Sequence, residues 1–225
     1  MRMRSVRASV MLRGTIGEVS HNRISHSRWH RQDNGDRAVD ALLDAAGRAF
    51  AEIGVGKATM IDVAEAAGCS RATLYRYFPN QEALHLAFVH RATLRTARYL
   101  AGERRAGAPN SLADRVIAGL ASVRSDPAMS EWFEPENMAV PIKVSQNSEL
   151  LRTMSAGLLA ELGREPHSQD ELERRAEWLL RSIISLLAMP GRDAASERAM
   201  VESFLVPVLV ADTEPTDLDS QGSHL

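Results

Sequence analysis

Nowhere along the 225 residues do apolar and polar side chains alternate in a sustained run, whereas apolar residues recur at three- and four-residue steps. Alternation marks a half-buried strand and the longer step marks one face of a helix, so an all-α fold is expected. The first such face runs from Arg37 to Ile53 through Val39, Leu42, Leu43, Ala46 and Phe50, and Gly54 follows as its stop. Thr59 is placed to cap a short second helix ending near Ala66 or Ala67, with Asp62 at the acidic position of a capping box. Gly68 ends that helix, Ser70 caps a third one reaching about Tyr77, and Phe78-Pro79-Asn80 separates it from a long helix over Gln81 to about Glu103.

Further helices are expected at about 111–125, 147–163, 168–189 and 193–210, with an interrupted piece at 127–140 where Pro127, Pro135 and Pro141 intervene. Pro207 is expected to kink the last of these. Residues 1–36 are rich in arginine, hold three histidines, and close on Asp33-Asn34-Gly35-Asp36, the composition of a flexible basic arm with a turn at its end. The expected organisation is an arm at 1–36, a three-helix unit at 37–82, a helical bundle at 83–211 joined to it by the long helix, and a loose acidic tail at 212–225.

The net charge of −2 hides an asymmetry, because residues 1–97 hold 14 Lys+Arg against 9 Asp+Glu and the remainder hold 13 against 20. A basic front and an acidic rear suit a protein that sets only its front against phosphates. A single cysteine, Cys69, excludes an intramolecular disulfide and reads as a small apolar turn residue. No run approaches 18 unbroken apolar residues and the N-terminal stretch is broken at Arg13 and Gly14, so a cytoplasmic protein with no membrane partner is expected. Gly-rich phosphate loops, nucleophile elbows, HExxH and paired carboxylates beside a base are all missing, so neither an enzyme nor a cofactor is expected. His26 and His30 are four residues apart but lack an acidic or Cys partner at ligand spacing, and no metal is expected.

The segment Met60 to Phe78 reads as two helices packed across a sharp turn. Small Ala64 lets the backbones approach, Gly68 supplies positive φ, and Val63, Ala67, Cys69, Leu74 and Tyr77 or Phe78 form the seam. Arg71, Ala72, Thr73, Tyr75 and Arg76 are left outside, where arginine, hydroxyl and phenol groups can meet base edges and phosphates in a major groove. From Thr59 through Leu84 the chain resembles the signature of the TetR/AcrR family, and the likeness reaches back to Ala45–Phe50 and covers roughly residues 37–90.

That resemblance implies a DNA-binding set of Thr59, Ser70, Arg71, Ala72, Thr73, Tyr75, Arg76, Tyr77 and Gln81, with Tyr75 on a phosphate and Thr59 as a phosphate-contacting cap. Gln81 stands where many members carry lysine, so one positive contact is missing. The resemblance further implies a repressor that binds a palindromic double-stranded operator as a homodimer and is released by a small-molecule effector, expected to be a largely apolar ligand. Met129, Trp132, Phe133, Met138, Met154 and Trp178 are the candidate lining of an apolar effector pocket. The stripe Leu172, Ala176, Leu179, Ile183 and Leu187, with Met200, Phe204 and Val208 on the last helix, is the candidate dimer interface. The competing reading is a helical ligand-binding protein or enzyme with no DNA role, which would enrich no palindrome from random duplex DNA.

Overall fold

The computed structural model describes residues 24–107, 110–162 and 168–210. The chain forms two compact units, residues 1–38 and 39–225. Helix α1, Ile24–Ile53, supplies the described part of the first unit and opens the second. Residues 33–36, expected as a turn, lie inside this helix. No positive φ occurs at Gly35, and extending a formed helix gains a hydrogen bond per residue, which offsets the local cost of Asn-Gly. Residues 1–23 and 211–225, with most of the expected arm and the whole tail, lie outside the described residues, as do the side chains of His26 and His30.

In the second unit α2 (Met60–Ala66) and α3 (Arg71–Tyr77) follow α1 closely, and α4 (Gln81–Arg105) leads away from them. The bundle comprises α5 (Leu112–Arg124), the short α6 (Pro127–Ser130), 3-10 turns at Glu131–Phe133 and Pro135–Asn137, α7 (Ala139–Asn147), α8 (Glu149–Leu162) and α9 (Gln169–Ala188). The last of the described residues form α10 (Ala194–Met200), a π-helical turn at Val201–Leu205, and α11 (Val206–Val210). Among the described residues there is no strand, and none of the helices is long and apolar enough to cross a membrane. The effect expected of Pro207 emerges as the π turn: lacking an N–H, proline removes one rung of the ladder, and the turn before it shifts to wider bonding, with Val206 N–H reaching Val201 C=O.

Two apolar clusters organise this unit. The first joins Leu42, Phe50, Val63, Leu74, Leu84 and Phe88 of the front helices to Met129, Trp132 and Val144 of the bundle. Buried packing therefore crosses the boundary expected at residue 82. Its centre is a ring cluster: Trp132, fully buried, stacks on Phe88 at 5.6 Å between centroids and meets Phe50 edge-on at 5.7 Å. His85 meets Trp132 edge-on at 5.3 Å and Phe50 at 5.4 Å. Such pairs each add about 0.5–1.5 kcal/mol beyond the burial of their area. The second cluster packs Leu112, Val116 and Leu120 of α5, Leu159 of α8, and Ala176, Leu179 and Leu187 of α9 against Val201, Leu205 and Leu209.

Candidate nucleic-acid interface and effector cavity

Each cap predicted around the two short helices is present. Thr59 Oγ1 accepts from the N–H groups of Ile61 and Asp62, while Asp62 Oδ2 accepts the Thr59 N–H at 2.7 Å, closing a capping box. These bonds hold the Asp62 carboxyl below its usual range. At the other end Gly68 has φ +63, its N–H reaches Glu65 C=O, and Cys69 N–H reaches Ala64 C=O. This pair of bonds is a Schellman motif. A Cβ on Gly68 would meet nothing within 4 Å, so backbone conformation and not lack of room selects glycine. Ser70 Oγ then accepts from Thr73 N–H at 3.1 Å to start α3.

Leu74 is fully buried and anchors α3, which fixes what the helix turns outward. Arg71 and Tyr75 form one exposed i, i+4 pair and Ala72 and Arg76 a second beside it. Tyr75 is 47% exposed despite its size. Tyr77 is half-buried with the Arg76 guanidinium 5.2 Å above its ring, so it supports Arg76. Four of the expected contact residues make side-chain hydrogen bonds within the chain, Ser70 and Thr73 to each other at 2.9 Å. The Thr59 hydroxyl gives its proton to Asp62 at 2.7 Å. The Gln81 amide donates one N–H to Ala58 C=O at 2.8 Å, which ties the start of α4 to the loop before α2.

Behind this head lies a cavity of about 510 Å³ walled by α4 to α9 and the turn at Glu131–Phe133. Met129, Trp132, Phe133 and Met154 line it as expected. Met138 and Trp178 do not. Trp178 stands on the outer face of α9, 51% exposed. The α9 stripe offered as a dimer interface is also corrected: Ala176, Leu179 and Leu187 are buried within the chain and Leu172 and Ile183 pack against the same cluster. Leu179, Ile183 and Leu187 face the cavity instead. Periodicity shows which face of a helix is apolar but not which partner covers it, and here α8 and α5 do so. Of the residues expected at an interface, Met200, Phe204 and Val208 remain exposed, the last two at 73% and 56%.

Three polar features of this region were not read from the sequence. Asn137 is buried, accepts Gly56 N–H on Oδ1 at 3.0 Å and donates from Nδ2 to Glu131 C=O at 2.7 Å, so one amide bridges the loop after α1 to the turn that carries Trp132. Glu82, in the first turn of α4, accepts from Lys143 at 2.9 Å and from Asn147 at 3.1 Å, both on α7. Arg115 and Glu161 stand in the cavity wall, paired at 2.8 Å. An asparagine or arginine has no periodic signature, because its role is set by distant backbone. Pro135 and Pro141, which mark an irregular stretch around Asn137, are the one local signal.

The comparisons agree with this geometry. The sequence model described as bacterial regulatory proteins, tetR family, matches residues 42–88, the stretch from the α1 core to Phe88. An uncharacterized HTH-type transcriptional regulator of Mycobacterium tuberculosis strain H37Rv is 38% identical over 185 residues, which is 80% of this chain and 90% of that protein. The chain belongs to the TetR family.

The corresponding regulator of the Mycobacterium tuberculosis strain CDC 1551 / Oshkosh matches to the same extent. Among solved structures, that of the TetR family repressor AlkX from a Dietzia strain superposes with a TM-score of 0.50 at 22% identity, covering 75% of this chain and 93% of that one. That likeness shows the shared fold. This TetR family member is thus a DNA-binding transcriptional regulator, with an N-terminal helix-turn-helix and a C-terminal helical domain.

Proposed function

We propose that the protein is a repressor that binds a palindromic operator as a homodimer, with α3 of each copy in successive major grooves about 34–36 Å apart. The observation that carries this reading is the outward pairing of Arg71 with Tyr75 and of Ala72 with Arg76 on a helix anchored by Leu74. Arg71 and Arg76 offer donors to base edges or phosphates, Tyr75 a phenol to the backbone, and Ala72 an apolar contact for a thymine methyl. Trp178, Met200, Phe204 and Val208 form an exposed apolar strip on α9 to α11 that fits a second copy, since an isologous interface repeats the same patch on both subunits. Such a chain would work inside the cell, where its operator is.

The cavity is the effector site in this reading. α7 supplies both sides of the link: Pro141, Val144 and Ser145 face the cavity, while Lys143 and Asn147 hold Glu82 immediately after α3. A ligand that displaces α7 or Trp132 therefore displaces the root of the reading helix. Release follows if the ligand prefers the state in which the two heads are out of register.

Selection of bound fragments from random duplex DNA should yield a palindrome. On that fragment, Arg71→Ala and Tyr75→Phe should each weaken binding about tenfold in gel-shift titration without changing the mass of the protein assembly. Affinity should also fall steeply with added salt, because phosphate contacts release counterions. Unchanged affinity in both variants would overturn the assignment of α3.

A further inference from the structure

We infer that the effector is an amphipathic anion, an apolar body with one carboxylate-like head that docks on Arg115. The inference rests on the cavity being the effector site and names the class of molecule that site takes. The wall is aliphatic and aromatic over most of its extent, and its volume lies within the range of about 300–1,000 Å³ typical of small-molecule sites. Of the four hydroxyls in the wall, Thr93 and Ser145 each bond a carbonyl of their own helix at 2.8 Å, Thr96 pairs with Ser122 at 3.2 Å, and Ser155 adds one small neutral polar group. Among the described residues the charged side chains in the wall are Arg115 and Glu161.

That pair is not neutral in its setting. Each oxygen of Glu161 meets a guanidinium, one from Arg115 at 2.8 Å and the other from Arg104, so the trio carries one positive charge in excess. Arg115 commits only Nη1 to the bridge, and its Nε and Nη2 make no hydrogen bond among the described residues. Its side chain is largely withdrawn from water, and burial, with the nearby Arg104, works against its charged form. A partly desolvated cation with uncommitted donors at the edge of an apolar chamber is stabilised by an anion, and guanidinium binds carboxylate through two parallel bonds. A cationic head would face the excess positive charge and would have to compete with two arginines for Glu161. A neutral head could accept from a guanidinium N–H but would leave the excess positive charge uncompensated.

The test uses the full chain and isothermal titration with decanoate, decan-1-ol and decylamine. Decanoate should bind about tenfold more tightly than the alcohol, with the amine weakest, in keeping with the extra strength of hydrogen bonds to charged groups. Arg115→Gln should bring the ratio of decanoate to decanol affinity close to one, and Glu161→Gln, which frees two guanidinium groups, should raise it. Circular dichroism establishes that each variant is folded, and the opposite signs expected of the two make a general loss of structure distinguishable. Equal binding of acid and alcohol, or an unchanged ratio in R115Q, overturns the anionic head and leaves the cavity reading intact. Gly119 lines the chamber with open space at its Cβ, so Gly119→Trp should exclude acid and alcohol alike. Undiminished binding in G119W would place the ligand elsewhere and overturn the effector-site reading with the inference, and no binding of any of the three molecules would overturn the inference as stated.

Discussion

His85 shows how much a single buried group can reveal. Its ring sits among Phe50 and Trp132, its Nε2 has no hydrogen-bond partner among the described residues, and burial, with a smaller push from Lys143, takes its pKa down to about 4. Since the folded value is depressed below the unfolded value of about 6.5, the unfolded chain takes up a proton that the folded chain excludes as the pH falls between those values. Stability is therefore full above about pH 6.5 and is lost on acidification, by about 2 kcal/mol from this residue between pH 7 and 5. Urea denaturation at the two pH values checks it: His85→Leu should lose most of that difference, and an unchanged difference would contradict the assignment. Nothing in the sequence distinguished His85 from a surface histidine on an amphipathic helix, because its surroundings come from α1 and from Trp132, 47 positions away. Thr59, Asp62, Gly68 and Ser70 were legible because capping and positive φ are local physics acting within a few residues.

At the scale of elements, helix positions followed from period and punctuation, whereas partners did not. The α9 stripe was correctly read as apolar, yet the chain itself covers it, and the neighbouring outward face with Trp178 was assigned to the cavity one residue out of phase. One helical residue turns a side chain by about 100°, enough to exchange inside for outside. The joint of α5, α9 and α10 was likewise invisible to pattern. Arg124 at the end of α5 grips buried Glu197 through two bonds of 2.7 Å and reaches Leu186 C=O at 2.8 Å, and Glu197 also accepts Gly191 N–H. The guanidinium holds the Glu197 carboxyl below its ordinary range in spite of its burial. Arg124→Met leaves that carboxylate buried without its counter-charge and should cost about 3 kcal/mol. Chemical denaturation measures this, and adding Glu197→Leu to Arg124→Met should recover part of the loss.

For the whole molecule, the all-α architecture and the order of head, long helix and bundle were readable from sequence because they depend on hydrophobic periodicity summed over many residues. The proposed assembly separates cleanly by mutation. Phe204→Asp, at an exposed position, should give a folded monomer by light scattering, whereas Leu179→Asp places a charge in the interior and should reduce helicity itself. A dimeric Phe204→Asp variant would move the interface off α10 and α11. Trp132 has a broader consequence. Because its indole fills both the floor of the head and the wall of the chamber behind it, the two halves of this regulator are not interchangeable parts. A chimera that carries residues 39–82 onto a foreign sensor half would leave Phe50 facing a hole, so engineering a new input for this head means transplanting Phe88 and Trp132 along with it.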